Sequence, residues 1–141
     1  MSTTQSEDPN ERVDHPRWYN QHPSGIECIE IIEHLPGNLS AAVKYIWRCG
    51  LKQTETPLRD LQSARWYTER ESERVDLFEL DGEEPPKTDV VWRMLAHKVI
   101  RASEPHSVLA DYLQELLDGH FSEMVAAIDY AIEQLGKTET K

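Results

Sequence analysis

The apolar positions of this chain recur at helical spacing through most of its length, and no stretch alternates as a strand would. The clearest run lies at 39–52, where Leu39, Ala42, Val43, Ile46 and Trp47 fall at i, i+3, i+4, i+7 and i+8 and form one apolar stripe. Upstream, Cys28, Ile31, Ile32 and Leu35 predict a helix over Ile26–Leu35, with Ser24 as its N-cap and Glu27 as the other half of a capping box. Pro36-Gly37 ends that helix, and Asn38 is the expected cap of the central one, which stops near Gly50. Thr56-Pro57 then opens a third helix that continues at least to Arg74, with Leu58, Leu61 and Ala64 about one turn apart. Its Glu69–Asp76 stretch reads as a solvated face of mixed charge.

A Gly- and Pro-containing break follows at Leu80–Lys87. Thr88 is the expected cap of a fourth helix through about Arg101, carrying Val91, Trp92, Leu95 and Val99. Ser103-Glu104-Pro105 starts a fifth, with Leu109, Tyr112, Leu113, Leu116 and Leu117 apolar and Gly119 as its end. The sixth spans Phe121–Leu135, with Gly136 as its stop. The expected fold is therefore all-α: a compact bundle of about six helices whose short connections favour antiparallel neighbours. Residues 1–12 are polar and aperiodic and read as a disordered tail. Residues 13–24 contain two His-Pro steps, which bias them toward extended or turning backbone, yet carry Trp18 and Tyr19. Such an aromatic segment either packs as a lid on the helices or faces a planar ligand.

Length and charge narrow the picture. A chain of 141 residues can bury a real core. Its net charge of -11 argues against general nucleic-acid binding, which calls for a basic surface, but leaves room for a local basic pocket. Cys28 and Cys49 both sit inside apolar helical patterns and read as core thiols of a reducing compartment. No apolar run approaches the roughly 18 residues of a membrane span, and no signal-peptide pattern is visible, so a cytoplasmic protein without a membrane partner is expected.

Common catalytic signatures are missing. There is no GxxxxGK[ST] loop, no GxGxxG and no nucleophile elbow. His15, His22, Cys28, His34 and Cys49 share no recognised metal-ligand spacing. Glu27 and Glu30 make an E-x-x-E pair and Glu73 and Asp76 an E-x-x-D pair, an arrangement similar to that with which all-helical nucleoside triphosphate pyrophosphatases hold Mg²⁺. Helix capping is the competing role for Glu27, and solvation explains the second pair. The sharpest local signal is Lys44, Arg48 and Lys52 at i, i+4 and i+8. Like charges at that spacing cost roughly 0.2–0.5 kcal/mol per pair. An anionic counterpart is therefore expected: phosphate, for which Arg offers a planar fork and Lys a point charge, or the carboxylates of Glu27, Glu30 and Asp60.

Three strings together, VDHPRWYNQHPSGIECIEIIEHL, GNLSAAVKYIWRCGLK and LRDLQSARWY, resemble a phage-associated family catalogued as domain of unknown function 3310. The resemblance covers about residues 13–74, in the family's order: H-x-x-x-Y, G-I-E-x-I, G-N before K-Y-I-W-R-x-G-x-K, and D-L followed by A and W-Y. Members are often labelled nucleotide kinase after a small phage enzyme without a P-loop, a large oligomer that moves phosphate from deoxynucleoside triphosphates to dTMP and dGMP. The resemblance implies that Lys44, Arg48 and Lys52 hold phosphates and that His15 or Asp60 orients the accepting group. It further implies that Tyr19, Trp18 or Tyr45 stacks on a base, and that Glu27, Asn38 and Tyr67 complete the substrate site. Two departures stand out. A Ser-Ala stretch lengthens the interval between Asn38 and Lys44, and Ser63 stands where the family commonly has lysine.

The division implied is a tail over 1–12, a nucleotide-binding helical core over 13–79 and an appended helical region over 80–141 that could mediate homo-oligomer assembly. The leading functional expectation is transfer of phosphate to a deoxynucleoside monophosphate, with nucleotides as partners and Mg²⁺ as a possible cofactor. The alternatives are an Mg²⁺-dependent triphosphate pyrophosphatase using Glu27 and Glu30, and a non-catalytic binder of nucleotides or of a host protein.

Overall fold

In the computed structural model the apolar stripe of the central helix is buried as a unit: Leu39, Ala42, Val43, Ile46 and Trp47 are all inside. The structure describes residues 22–50, 54–80 and 90–139. Six helices run through them: α1 (Cys28–Ile32), α2 (Gly37–Gly50), α3 (Pro57–Leu80), α4 (Val90–Ala102), α5 (Val108–Asp118) and α6 (Phe121–Glu139). The described residues contain no strand and no helix long and apolar enough to cross a membrane. The all-α expectation is met.

Two rings of helices share one edge. In the first, α2 packs on α3, α3 on α6, α6 on α5, and α5 back on α2. In the second, α1 lies on α2 and α4, and α4 lies on α5. The shared edge is therefore α2 against α5, and one core fills both rings. Trp47 of α2, Trp92 of α4 and Tyr112 of α5 are its largest fully buried side chains. Residues 80–141, expected as an appended region, thus contribute Trp92, Val99, Tyr112, Leu113, Met124 and Ile128 to the same core as α2.

Several helix ends differ from the sequence expectation, each for a local reason. α1 is only five residues long, and its N-cap is Glu27 rather than Ser24. The box partner is Glu30, whose Oε2 accepts the Glu27 backbone N–H at 2.7 Å. Ser24 is occupied in a turn at positive-φ Gly25, where its hydroxyl accepts the Ile26 N–H at 3.0 Å. α2 starts at Gly37, and the Pro36 carbonyl takes its first hydrogen bond from the Ser40 N–H, so Asn38 lies within the first turn rather than capping it. Ser107, not Ser103, caps α5: its hydroxyl accepts from the Ala110 N–H at 3.2 Å. Gly119 closes α5 in the left-handed region at φ 77°, as the sequence suggested. Gly136 does not stop α6, which runs on to Glu139. In α4, Val91 is exposed and the buried positions are Trp92, Ala96 and Val99.

The N-terminal end of the described chain is tied down by His22. The Ser24 backbone N–H donates to its Nδ1 at 3.0 Å. The Ser103 hydroxyl donates to the Val99 carbonyl at 2.7 Å, so it accepts from His22 Nε2–H at 2.9 Å. These partners require the neutral Nε2–H tautomer, and the ring packs against Trp47 with centroids 5.3 Å apart. Burial holds His22 below its ordinary value of 6.5. A lowered folded-state value means that the unfolded chain takes up the proton first. The stability this residue confers is thus complete above the unfolded value of about 6.5 and is lost as pH falls through the folded-state value. Urea midpoints measured from pH 8 to pH 5 are expected to drop on the acid side, and His22→Gln to flatten that limb.

Candidate functional site

α2 and α3 pack side by side and antiparallel, and two carboxylates of α3 hold them in register. Glu71 is fully buried; its Oε1 accepts from Asn38 Nδ2 at 3.2 Å and from Arg74 Nε at 2.9 Å, and its Oε2 from Arg74 Nη2. Asp60, also buried, sits at the other end of the pairing with its Oδ2 at 3.8 Å from Arg48 Nε. That distance is an ion-pair contact rather than a hydrogen bond. A buried carboxylate is tolerated only with such compensation, which α2 supplies to Asp60 through Arg48 and which Glu71 draws from Arg74 of its own helix and from Asn38 of α2.

Between these two pins the helices leave a cleft of about 350 Å³ lined by Ala41, Lys44, Tyr45, Arg48 and Tyr67. Helical periodicity accounts for the α2 side. Ala41, Lys44, Tyr45 and Arg48 fall at i, i+3, i+4 and i+7, directly beside the buried stripe. The Lys44 side chain is exposed and that of Arg48 is about one-third exposed. On the α3 side, Tyr67 lies one turn from buried Glu71 and stacks on Tyr45, with centroids 6.2 Å apart and planes at 16°. Trp66 meets Tyr67 edge to face at 5.1 Å and is 57% exposed.

Of the residues expected at a site, the structure thus gathers Lys44, Tyr45, Arg48 and Tyr67 around one hollow. Asp60 does not line it but stands behind Arg48. Asn38 is committed to Glu71. Glu27 and Glu30 form the capping box of α1, and among the described residues no third ligating group joins them. His15, Tyr19 and Lys52, with Trp18, lie outside the described residues.

The sequence reading did not single out Trp66, Arg59 or Arg70. Arg59, Ser63, Trp66 and Arg70 recur at i, i+4, i+7 and i+11, a stripe of α3, and all but Ser63 are exposed. That spacing was legible, but a mostly polar face of a helix looks like ordinary solvated surface until a neighbouring helix gives it a side. Arg70 lies 3.7 Å from Glu73, an exposed pair of little energetic weight.

Both cysteines are free thiols, Cys28 buried and Cys49 half-buried. Burial pushes the Cys28 thiol up to about 12, with Lys44 acting against it, and burial and then Asp60 push Cys49 up to about 12. Cys49 Sγ lies 3.6 Å from the Pro57 carbonyl. Compared with known proteins, the chain matches no family model, no curated protein and no solved structure.

Two outcomes are expected. At pH 8, iodoacetamide leaves both thiols of the folded protein unmodified over a period in which urea-unfolded chain reacts fully, as mass spectrometry would show. Glu71→Ala lowers stability by about 2–3 kcal/mol in urea titration, because it strips a buried network of its acceptor.

Proposed function

We propose that this protein binds nucleotides, with the phosphates in the α2–α3 cleft. The observation that carries the reading is the convergence of Lys44 and Arg48 with Tyr45 and Tyr67 on one hollow in a chain of net charge -11. Arg48 lies 3.8 Å from buried Asp60, and Lys44 is exposed beside the cavity. Charge-assisted contacts to phosphoryl oxygens fit both groups, the guanidinium as a fork and the ammonium as a point charge.

The reaction class proposed is transfer of a phosphoryl group to a deoxynucleoside monophosphate. The motifs over residues 13–74 and their resemblance to the phage-associated family support it. In such a transfer the donor's terminal P–O bond breaks, the new bond forms to an oxygen of the acceptor phosphate, and the donor leaves as the diphosphate. Catalysis is then mainly positioning and charge stabilisation, for which Lys44 and Arg48 suffice as the chain's own contribution within the cleft. Asp60 acts from behind by orienting Arg48. Assembly as a homo-oligomer belongs to the same proposal.

Calorimetric titration with dGMP and dTMP tests the binding. Lys44→Ala is expected to weaken either nucleotide roughly tenfold while shifting stability by no more than about 0.5 kcal/mol, since the side chain is exposed. Unchanged affinity in that variant would end the reading. A radiolabelled triphosphate with each monophosphate tests transfer. Binding without labelled product would leave a nucleotide-sequestering protein, and pyrophosphate release abolished by chelator would identify a triphosphate-cleaving one.

A further inference from the structure

We infer that Trp66 is the platform on which the nucleobase stacks, and that it makes the site prefer purine over pyrimidine nucleotides. The inference rests on the nucleotide reading of the cleft. Its starting point is that Tyr45 and Tyr67 are already stacked on each other at 16°, so each gives one face to the other. A base entering beside Lys44 and Arg48 would have to separate that pair to use either buried face.

Trp66 stands next in the row. It touches Tyr67 at 89°, so its indole is turned out of the plane of the tyrosine pair, and more than half of its surface is open. Trp47 and Trp92, by contrast, are fully buried. Among the described residues this large exposed indole, one residue from the cleft wall, has Tyr67 as its ring contact, and that contact leaves more than half of its surface open. Flanking it on the same stripe are Arg59 and Arg70, so a base stacked there remains within a locally cationic surface. Stacking strength grows with the overlapping ring area. The two-ring indole discriminates between a bicyclic purine and a monocyclic pyrimidine more than a phenol ring does.

The experiment compares dGMP, dTMP and deoxyribose 5-phosphate against the full chain, Trp66→Ala, Trp66→Phe and Lys44→Ala. Calorimetry is the main readout, and circular dichroism confirms that each variant is folded. For the unaltered chain, dGMP is expected to bind roughly five- to tenfold more tightly than dTMP. Trp66→Ala should bring that ratio close to one, with little effect on deoxyribose 5-phosphate. Trp66→Phe should keep part of the preference while losing the quenching of tryptophan fluorescence that dGMP causes in the unaltered chain.

A purine preference that survives in Trp66→Ala overturns the inference, as does a pyrimidine preference in the unaltered chain. If Lys44→Ala still weakens all three ligands in that case, the nucleotide reading stands without the platform. If none of the three binds the unaltered chain, both fall together.

Discussion

Two buried carboxylates on one helix set the geometry of this molecule. Asp60 and Glu71 are three turns apart on α3 and point the same way, into α2. Leaving either without a partner in the core would cost several kcal/mol: Asp60 meets Arg48 of α2, and Glu71 meets Arg74 of its own helix with Asn38 of α2 adding a further contact, so the observed register of α2 on α3 satisfies both. Apolar stripes alone allow two helices to slide by a turn at modest cost. Charged pins at both ends remove that freedom, and the cleft between them inherits a fixed spacing of Lys44, Tyr45, Arg48 and Tyr67.

Much of this was readable from the chain, and the parts that were not have a common cause. The stripe Leu39, Ala42, Val43, Ile46, Trp47 is buried residue for residue, because helical periodicity acts within a single element and needs no partner to be seen. Lys44 and Arg48 were recognisable as an unusual pair for the same reason. What could not be read was which polar residues point inward. Asn38 looked like a cap and proved to be a hydrogen-bond donor to Glu71, thirty-three positions away. Glu71 looked like a member of a charged, solvated stretch and is in the core, whereas Asp60 was among the carboxylates expected opposite the basic row and does meet Arg48. Trp66 entered only as part of the W-Y motif, with no role assigned to it, and is 57% exposed. A pattern reports a residue's own helix face; it does not report what the opposing element brings to that face. Helix ends suffered likewise, since Ser24 and Ser103, both plausible caps, are committed to His22.

The overall charge and the local one are not in conflict. A surplus of acids repels polyanions at long range, yet that repulsion is screened beyond about 8 Å at physiological ionic strength. Within the cleft the nearest fixed charges are Lys44 and Arg48, and Asp60 lies on the far side of the guanidinium. The balance favours a small, multiply charged anion that can be enclosed over a long polyanion, whose remaining length would lie along acidic surface. Composition alone argues against the second kind of ligand and is silent on the first.

The C-terminal half bears on the site through α3. Tyr112 of α5 donates its hydroxyl proton to Thr68 at 2.7 Å, because Thr68 already donates its own to the Ala64 carbonyl. Arg65 reaches Asp129 of α6 at 2.8 Å. Both contacts lie within three residues of Tyr67, on faces of α3 turned away from the cleft. α3 is thus clamped from both sides along the same two turns: by α2, which supplies the cations, and by α5 and α6, which supply no lining residue at all. The second half of the chain therefore bears on the cleft mechanically, through α3, while the described residues that line the cleft all come from the first half.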